Sequence, residues 1–110
     1  GDARNPTRHD VLDVGDRCVE LLSRLGGISD LAHLAARWRN AYPRDEVWER
    51  DQYSVPSGRN GNRIPMESAL LATGRVIAGW DKVNPNTRLF ALNEEAKKAA
   101  RRDPPQGRGQ

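Results

Sequence analysis

The spacing of the apolar residues changes character once along this chain, at Gly74, and the change points to a helical front part joined to a small β element. Before Gly74 apolar side chains recur every three or four positions, which gathers them on one face of a helix; after it they tend to alternate, as strands require. Glycine and proline cut both parts into short pieces. A length of 110 residues with two polar ends suffices for one core and no more.

Asp10 to Leu25 reads as a first helix, with Val11, Leu12, Val14, Cys18, Val19, Leu21, Leu22 and Leu25 along one side, Asp10 as its cap and Gly26-Gly27 as its end. Ser29 is a suitable N-cap for a second helix over about Asp30 to Ala41, with Ile28 placed as a hydrophobic staple, Leu31, Leu34, Ala35 and Trp38 inward, and Pro43 as the stop. From Pro43 to Arg63 turn formers dominate and no period survives, so 43–64 reads as a long loop with at most one helical turn at Asp45 to Arg50. Pro65 suits the first turn of a third helix reaching Thr73, with Met66, Ala69, Leu70 and Ala72 inward.

Beyond Gly74, the runs Arg75 to Trp80 and Thr87 to Leu92 flank the turn-forming Val83-Asn84-Pro85-Asn86, which predicts a β-hairpin. Weak strand formers at Ala78 and Gly79 leave open a longer third helix, over Thr73 to Gly79. Asn93 can cap a last helix from Glu94 to about Arg102. The expected organisation is a disordered arm over 1–9, a folded domain over 10–102 and a disordered tail over 103–110. Leu22, Leu34, Trp38, Leu70, Ile77, Leu89 and Leu92 are expected to share one core, and Trp48 and Trp80 to act as further core anchors.

Chemistry-bearing patterns are sparse. Cys18 is the only cysteine, which excludes an internal disulfide, and its place on an apolar helix face predicts a packed, inert thiol. Asp45, Glu46, Glu49 and Asp51 resemble a Mg2+ cluster but alternate with Arg44 and Arg50 and read as a solvated charge run. His9 and His33 have neither nucleophile nor metal partner at a telling spacing, and Ser57 to Gly61 lacks the strand and lysine of a phosphate loop. No catalytic residue, metal ligand or cofactor is expected, and the domain alone is read as no enzyme. No stretch approaches the roughly 18 apolar residues of a membrane span, and Gly1 to Asp10 is polar where a signal peptide is apolar, so a soluble, cytoplasmic domain is expected.

The net charge of +3 is unevenly spread. Residues 1–51 carry eight basic and ten acidic side chains, residues 52–93 five against two, and residues 94–110 five against three, so the middle and the tail are the electropositive parts. Arginine supplies 15 of the basic residues and lysine three, a bias that suits phosphate and base-edge recognition and equally suits a GC-rich genome.

Three helices, a hairpin and a closing helix form the plan of a winged helix-turn-helix domain. Gly74-Arg75-Val76-Ile77-Ala78-Gly79-Trp80 followed by Asn86-Thr87-Arg88-Leu89-Phe90-Ala91-Leu92-Asn93-Glu94-Glu95 resembles the wing of that superfamily, in which a helix leads into a strand, a polar turn reverses the chain, and the returning strand ends in a capped helix. The chain departs from the pattern between the second and third helices, where the superfamily has a tight turn and this chain has about twenty residues. The resemblance implies a mainly α fold with a small β-hairpin, and double-stranded DNA as partner.

A helix entering the major groove needs polar or basic side chains on its outer face, and a wing needs small polar residues beside a cation. The candidates are Arg59, Asn60, Asn62 and Arg63 before the third helix, Ser68 and Thr73 on it, and Arg75, Lys82, Asn84, Asn86 and Arg88 on the hairpin. Arg63 and Arg88 are expected on one face, flanking a single strip of duplex. Contact through about four to six of the named cations predicts a salt slope of roughly −4 to −5. Such a domain would serve as a small regulator or as the DNA-reading module of a larger nucleic-acid enzyme, as a homodimer or within a larger parent protein. The alternative is a protein-interaction domain on the same scaffold, with Trp48, Tyr53 and Val55 as its contact surface.

Overall fold

The computed structural model describes residues 7–50, 53–57 and 62–102. Four helices and two small antiparallel sheets alternate along them: α1 (Arg8–Arg24), β1 (Ile28–Ser29), α2 (Leu31–Ala41), β2 (Ser54–Ser57), β3 (Asn62–Pro65), α3 (Met66–Ala72), β4 (Val76–Trp80), β5 (Arg88–Leu92) and α4 (Glu94–Arg102). No helix among the described residues is long and apolar enough to cross a membrane.

Helix α1 begins two residues before the expected start. Thr7 is its N-cap: the Thr7 side chain accepts from the Asp10 N–H at 3.0 Å while Asp10 Oδ2 accepts from the Thr7 N–H at 3.2 Å, a capping box that satisfies two helix-end donors. Asp10 is thus the box's third position and not the cap, and of the residues assigned from sequence to an arm, Thr7 caps the helix and Arg8 and His9 belong to it. Its inward side, Val14, Cys18, Val19, Leu21 and Leu22, is the expected one. Gly15 also lies there, against α3: a Cβ at Gly15 would run into the Ala69 carbonyl oxygen and the Thr73 methyl, so glycine is what lets the two backbones meet.

Helix α2 is capped by Asp30, whose Oδ1 accepts from the His33 N–H at 2.8 Å, and not by Ser29. Ser29 and Ile28 form β1 instead, where Ile28 pairs with Ala91 and Ser29 with Phe90. Ile28 faces solvent and staples nothing. Leu34, Ala35 and Trp38 are buried as expected, and the Trp38 Nε1–H donates to Asp45 Oδ2 at 3.1 Å.

The expected long loop contains a second hairpin. Ser54 to Ser57 pairs with Asn62 to Pro65, putting Val55 opposite Ile64, and both enter the main core with Val47. The backbone of Trp48 bonds reciprocally to Ser54, at 2.9 and 2.8 Å, so the chain after α2 is stitched to β2 as well. Pro56 and Pro65 obscured these strands, yet a two-stranded ribbon consists only of edges, where a missing N–H is tolerated.

Helix α3 buries Met66, Ala69 and Leu70 as expected, but Ala72 is exposed. Gly74, at φ 71°, ends it, so Thr73 to Gly79 does not prolong the helix. The hairpin β4–β5 follows, starting one residue later in each strand than the sequence suggested, and with β1 it makes a three-stranded sheet in the order β1-β5-β4. Val76, Ala78, Phe90 and Leu92 face the core, whereas Ile77 is 60% exposed and Leu89 lies outside the core. Strand alternation makes this unavoidable, because Leu89 and Leu92 are three residues apart and cannot share a face. Asn93 caps α4 by accepting from the Ala96 N–H, and its Nδ2 donates to the Gly74 carbonyl, tying the end of α3 to the start of α4.

Candidate functional site

The candidate surface is built on α3 and the β4–β5 hairpin. Helix α3 is held from behind by the close approach at Gly15 and by Met66, Ala69 and Leu70, which leaves Ser68, Leu71 and Ala72 on its open side. That side offers one hydroxyl and two apolar side chains, so it lacks the basic row that the sequence reading looked for.

The tip of the hairpin is more polar. Asp81 Oδ1 accepts from the Val83 N–H at 2.9 Å, the Asp81 N–H donates to the Thr87 carbonyl, and the Thr87 N–H donates to the Asn84 carbonyl, closing the turn. Lys82, Asn84 and Asn86 therefore project into solvent from an ordered backbone. Lys82 has no acidic partner among the described residues.

The arginines are more committed than expected. Arg88 pairs with Glu67 of α3 at 3.2 Å, and its guanidinium lies 5.2 Å from the Trp80 ring centroid and 5.6 Å from that of Phe90. It thus joins the returning strand to the first turn of α3. Arg75 pairs with Asp16 of α1. Both are surface pairs, worth little individually. Thr73 caps the end of α3, donating to the Leu70 carbonyl and accepting from the Arg75 N–H.

Arg63 departs furthest from expectation. Its Nη2 donates to the carbonyls of Glu46 and Ser54, each at 2.7 Å, and its guanidinium sits 3.9 Å from the Trp48 ring centroid. Partial burial pulls its pKa below the ordinary arginine value, against the opposing pull of Glu46 and Asp45. The side chain straps the β2–β3 hairpin to the chain after α2 and does not project towards a groove. Arg63 and Arg88 are held by separate partners, and no contact joins them into one strip. Asn62 begins β3, and Arg59 and Asn60 lie outside the described residues.

The alternative contact surface also changes. Val55 is fully buried and Tyr53 packs against the core, leaving only Trp48, half exposed under Arg63, of the three residues considered. Trp48 and Trp80, at 50% and 60% exposure, are not core anchors; Trp38 is. Cys18 is buried, and desolvation pushes its thiol up to about 12. Asp45 and Glu49 bond to Trp38 and Arg39, and no group of acidic, histidine or cysteine side chains suited to a metal occurs among the described residues.

What the sequence reading missed is the pairing of charge across elements: Asp16 with Arg75 and Glu67 with Arg88 are 59 and 21 positions apart, and no local pattern marks them. The β2–β3 ribbon did leave a signal, since Val55 and Ile64 sit symmetrically about the glycines at 58 and 61. Comparison with protein-family models, with curated proteins and with solved structures finds no match.

Proposed function

We propose that this is a winged helix-turn-helix domain whose partner is double-stranded DNA, met mainly by the tip of the β4–β5 hairpin. The observation that carries this reading is the sheet order β1-β5-β4. It fastens the hairpin to the helical part through β1, between α1 and α2, and leaves Lys82, Val83, Asn84, Pro85 and Asn86 of the tip exposed, with Arg88 next to it paired to Glu67 of α3. Lys82, Asn84 and Asn86 supply the small polar groups and the unpaired cation that a duplex backbone or minor groove accepts.

Arg88 and Arg75 add to this surface when phosphate replaces Glu67 and Asp16. The tally of usable cations is then about three, and log K falls against log salt with a slope of roughly −3, shallower than the sequence alone suggested. The near-apolar open side of α3 makes this a contact that positions more than it reads bases.

The test is fluorescence anisotropy of a short labelled duplex titrated with the full chain at several salt concentrations. Lys82→Ala should weaken every sequence alike and lower the salt slope by about one. An affinity untouched by Lys82→Ala together with Arg88→Ala, in a chain whose circular dichroism is unchanged, would refute the DNA reading.

A further inference from the structure

The outward face of the three-stranded sheet is apolar, and no other described residue covers it. Ile28, Ala91 and Ile77 stand in one row across β1, β5 and β4, because Ile28 and Ile77 are both registered on Ala91. Ile28 is 51% exposed and Ile77 60%. The next row is Leu89 opposite Gly79, and a Cβ at Gly79 would meet nothing within 4 Å. Two large side chains therefore flank a shallow trough floored by Ala91 and Gly79, with a cavity of about 250 Å³ along it. Among soluble proteins an exposed apolar surface organised in rows commonly marks a contact site.

The rim says which partner fits. Glu94 and Lys97, one turn apart on α4, both line this trough, and within the chain they stand 3.7 Å apart. A partner of one dominant charge would meet one favourable and one unfavourable group there. A second copy of this chain, turned by a two-fold axis, presents Lys97 to Glu94 and Glu94 to Lys97, so both signs are matched. On this face the large Ile77 and Leu89 alternate with the small Ala91 and Gly79, so a second copy can set its large side chains against the small positions.

We infer that the outward face of the β1-β5-β4 sheet is a self-association surface, through which two copies of this chain pack face to face with Glu94 of each opposite Lys97 of the other. A stable interface buries roughly 800 Å² per partner. The trough and the α4 rim are smaller, so the dimer is weak and depends on concentration. The inference stands independently of the DNA reading, since the hairpin tip takes no part in it.

The test is sedimentation equilibrium of the full chain over a wide concentration range, without nucleic acid. The wild-type chain should pass reversibly from monomer to dimer. Ile77→Asp, on an exposed position, should leave the circular dichroism unchanged and abolish the dimer. Lys97→Glu and Glu94→Lys should each weaken association by about tenfold or more through like-charge contact, and an equimolar mixture of the two should recover it as a heterodimer. A chain that stays monomeric throughout, or a dimer indifferent to Ile77→Asp, would overturn the inference, and so would a mixture that does no better than its components.

Discussion

Arg63 gives both N–H groups of Nη2 to the carbonyls of Glu46 and Ser54 and covers the Trp48 ring. Charge-assisted bonds of this kind are worth more than neutral ones, so Arg63→Ala should cost about 1.5 to 3 kcal/mol of stability, measured by urea denaturation. Arg63→Lys should recover only part of it, because an ammonium cannot keep a planar guanidinium on the indole while reaching two carbonyls. Full recovery by lysine would mean that charge alone matters there. Cys18 supplies a second test. Burial pushes its folded pKa to about 12, well above the ordinary thiol value near 9, so the neutral thiol favours the folded state fully below about pH 9. Stability is lost as pH rises from 9 towards 12, because the unfolded chain ionises first, at about 1.4 kcal/mol per pH unit. Cys18→Ala should flatten that alkaline limb relative to wild type, and a limb identical in both proteins would show that other groups cause it.

At the scale of elements, the contact between α1 and α3 sets where the candidate surface lies. Gly→Ala inside a helix ordinarily gains about 1 kcal/mol, but at Gly15 the methyl meets the Ala69 carbonyl oxygen. Gly15→Ala should therefore destabilise by about 1 to 3 kcal/mol, and a raised melting temperature would show that the two helices part freely. The sheet provides a matched contrast. Phe90→Ala, in the core, should cost about 3 to 5 kcal/mol, whereas Ile77→Ala, on the open face, should change the monomer's denaturation midpoint little. Helix positions and most inward faces were legible at this scale, because Leu22, Leu34, Trp38 and Leu70 each belong to a three- to four-residue apolar repeat within their own helix. Strand phase was legible in principle. Ile77 and Val76 are equally apolar, however, and only the packing against α1 and α3 chooses which turns inward.

For the whole molecule, the consequence of one shared core is cooperativity. Val55 and Ile64 of the β2–β3 ribbon belong to the same buried cluster as Leu22 and Leu34. Ile64→Ala and Leu34→Ala should each cost about 2 to 5 kcal/mol and shift a single transition, coincident by tryptophan fluorescence and circular dichroism. A separate early transition in Ile64→Ala would show that the ribbon is an independent appendage. The sequence by itself determined the order of the four helices and the β4–β5 hairpin, the stops at Gly26-Gly27 and Gly74, and the burial of Cys18, because local periodicity and backbone preference act over a few residues. Only the tertiary structure decided that Ser54–Ser57 pairs with Asn62–Pro65, that Ile28 and Ser29 make a third strand, and that Arg63, Arg75 and Arg88 are tied to partners. The pairing of β1 with β5 and the arginine contacts join residues distant in the chain, and such contacts are selected by the shape of the common core and by charge across space, which no local pattern records.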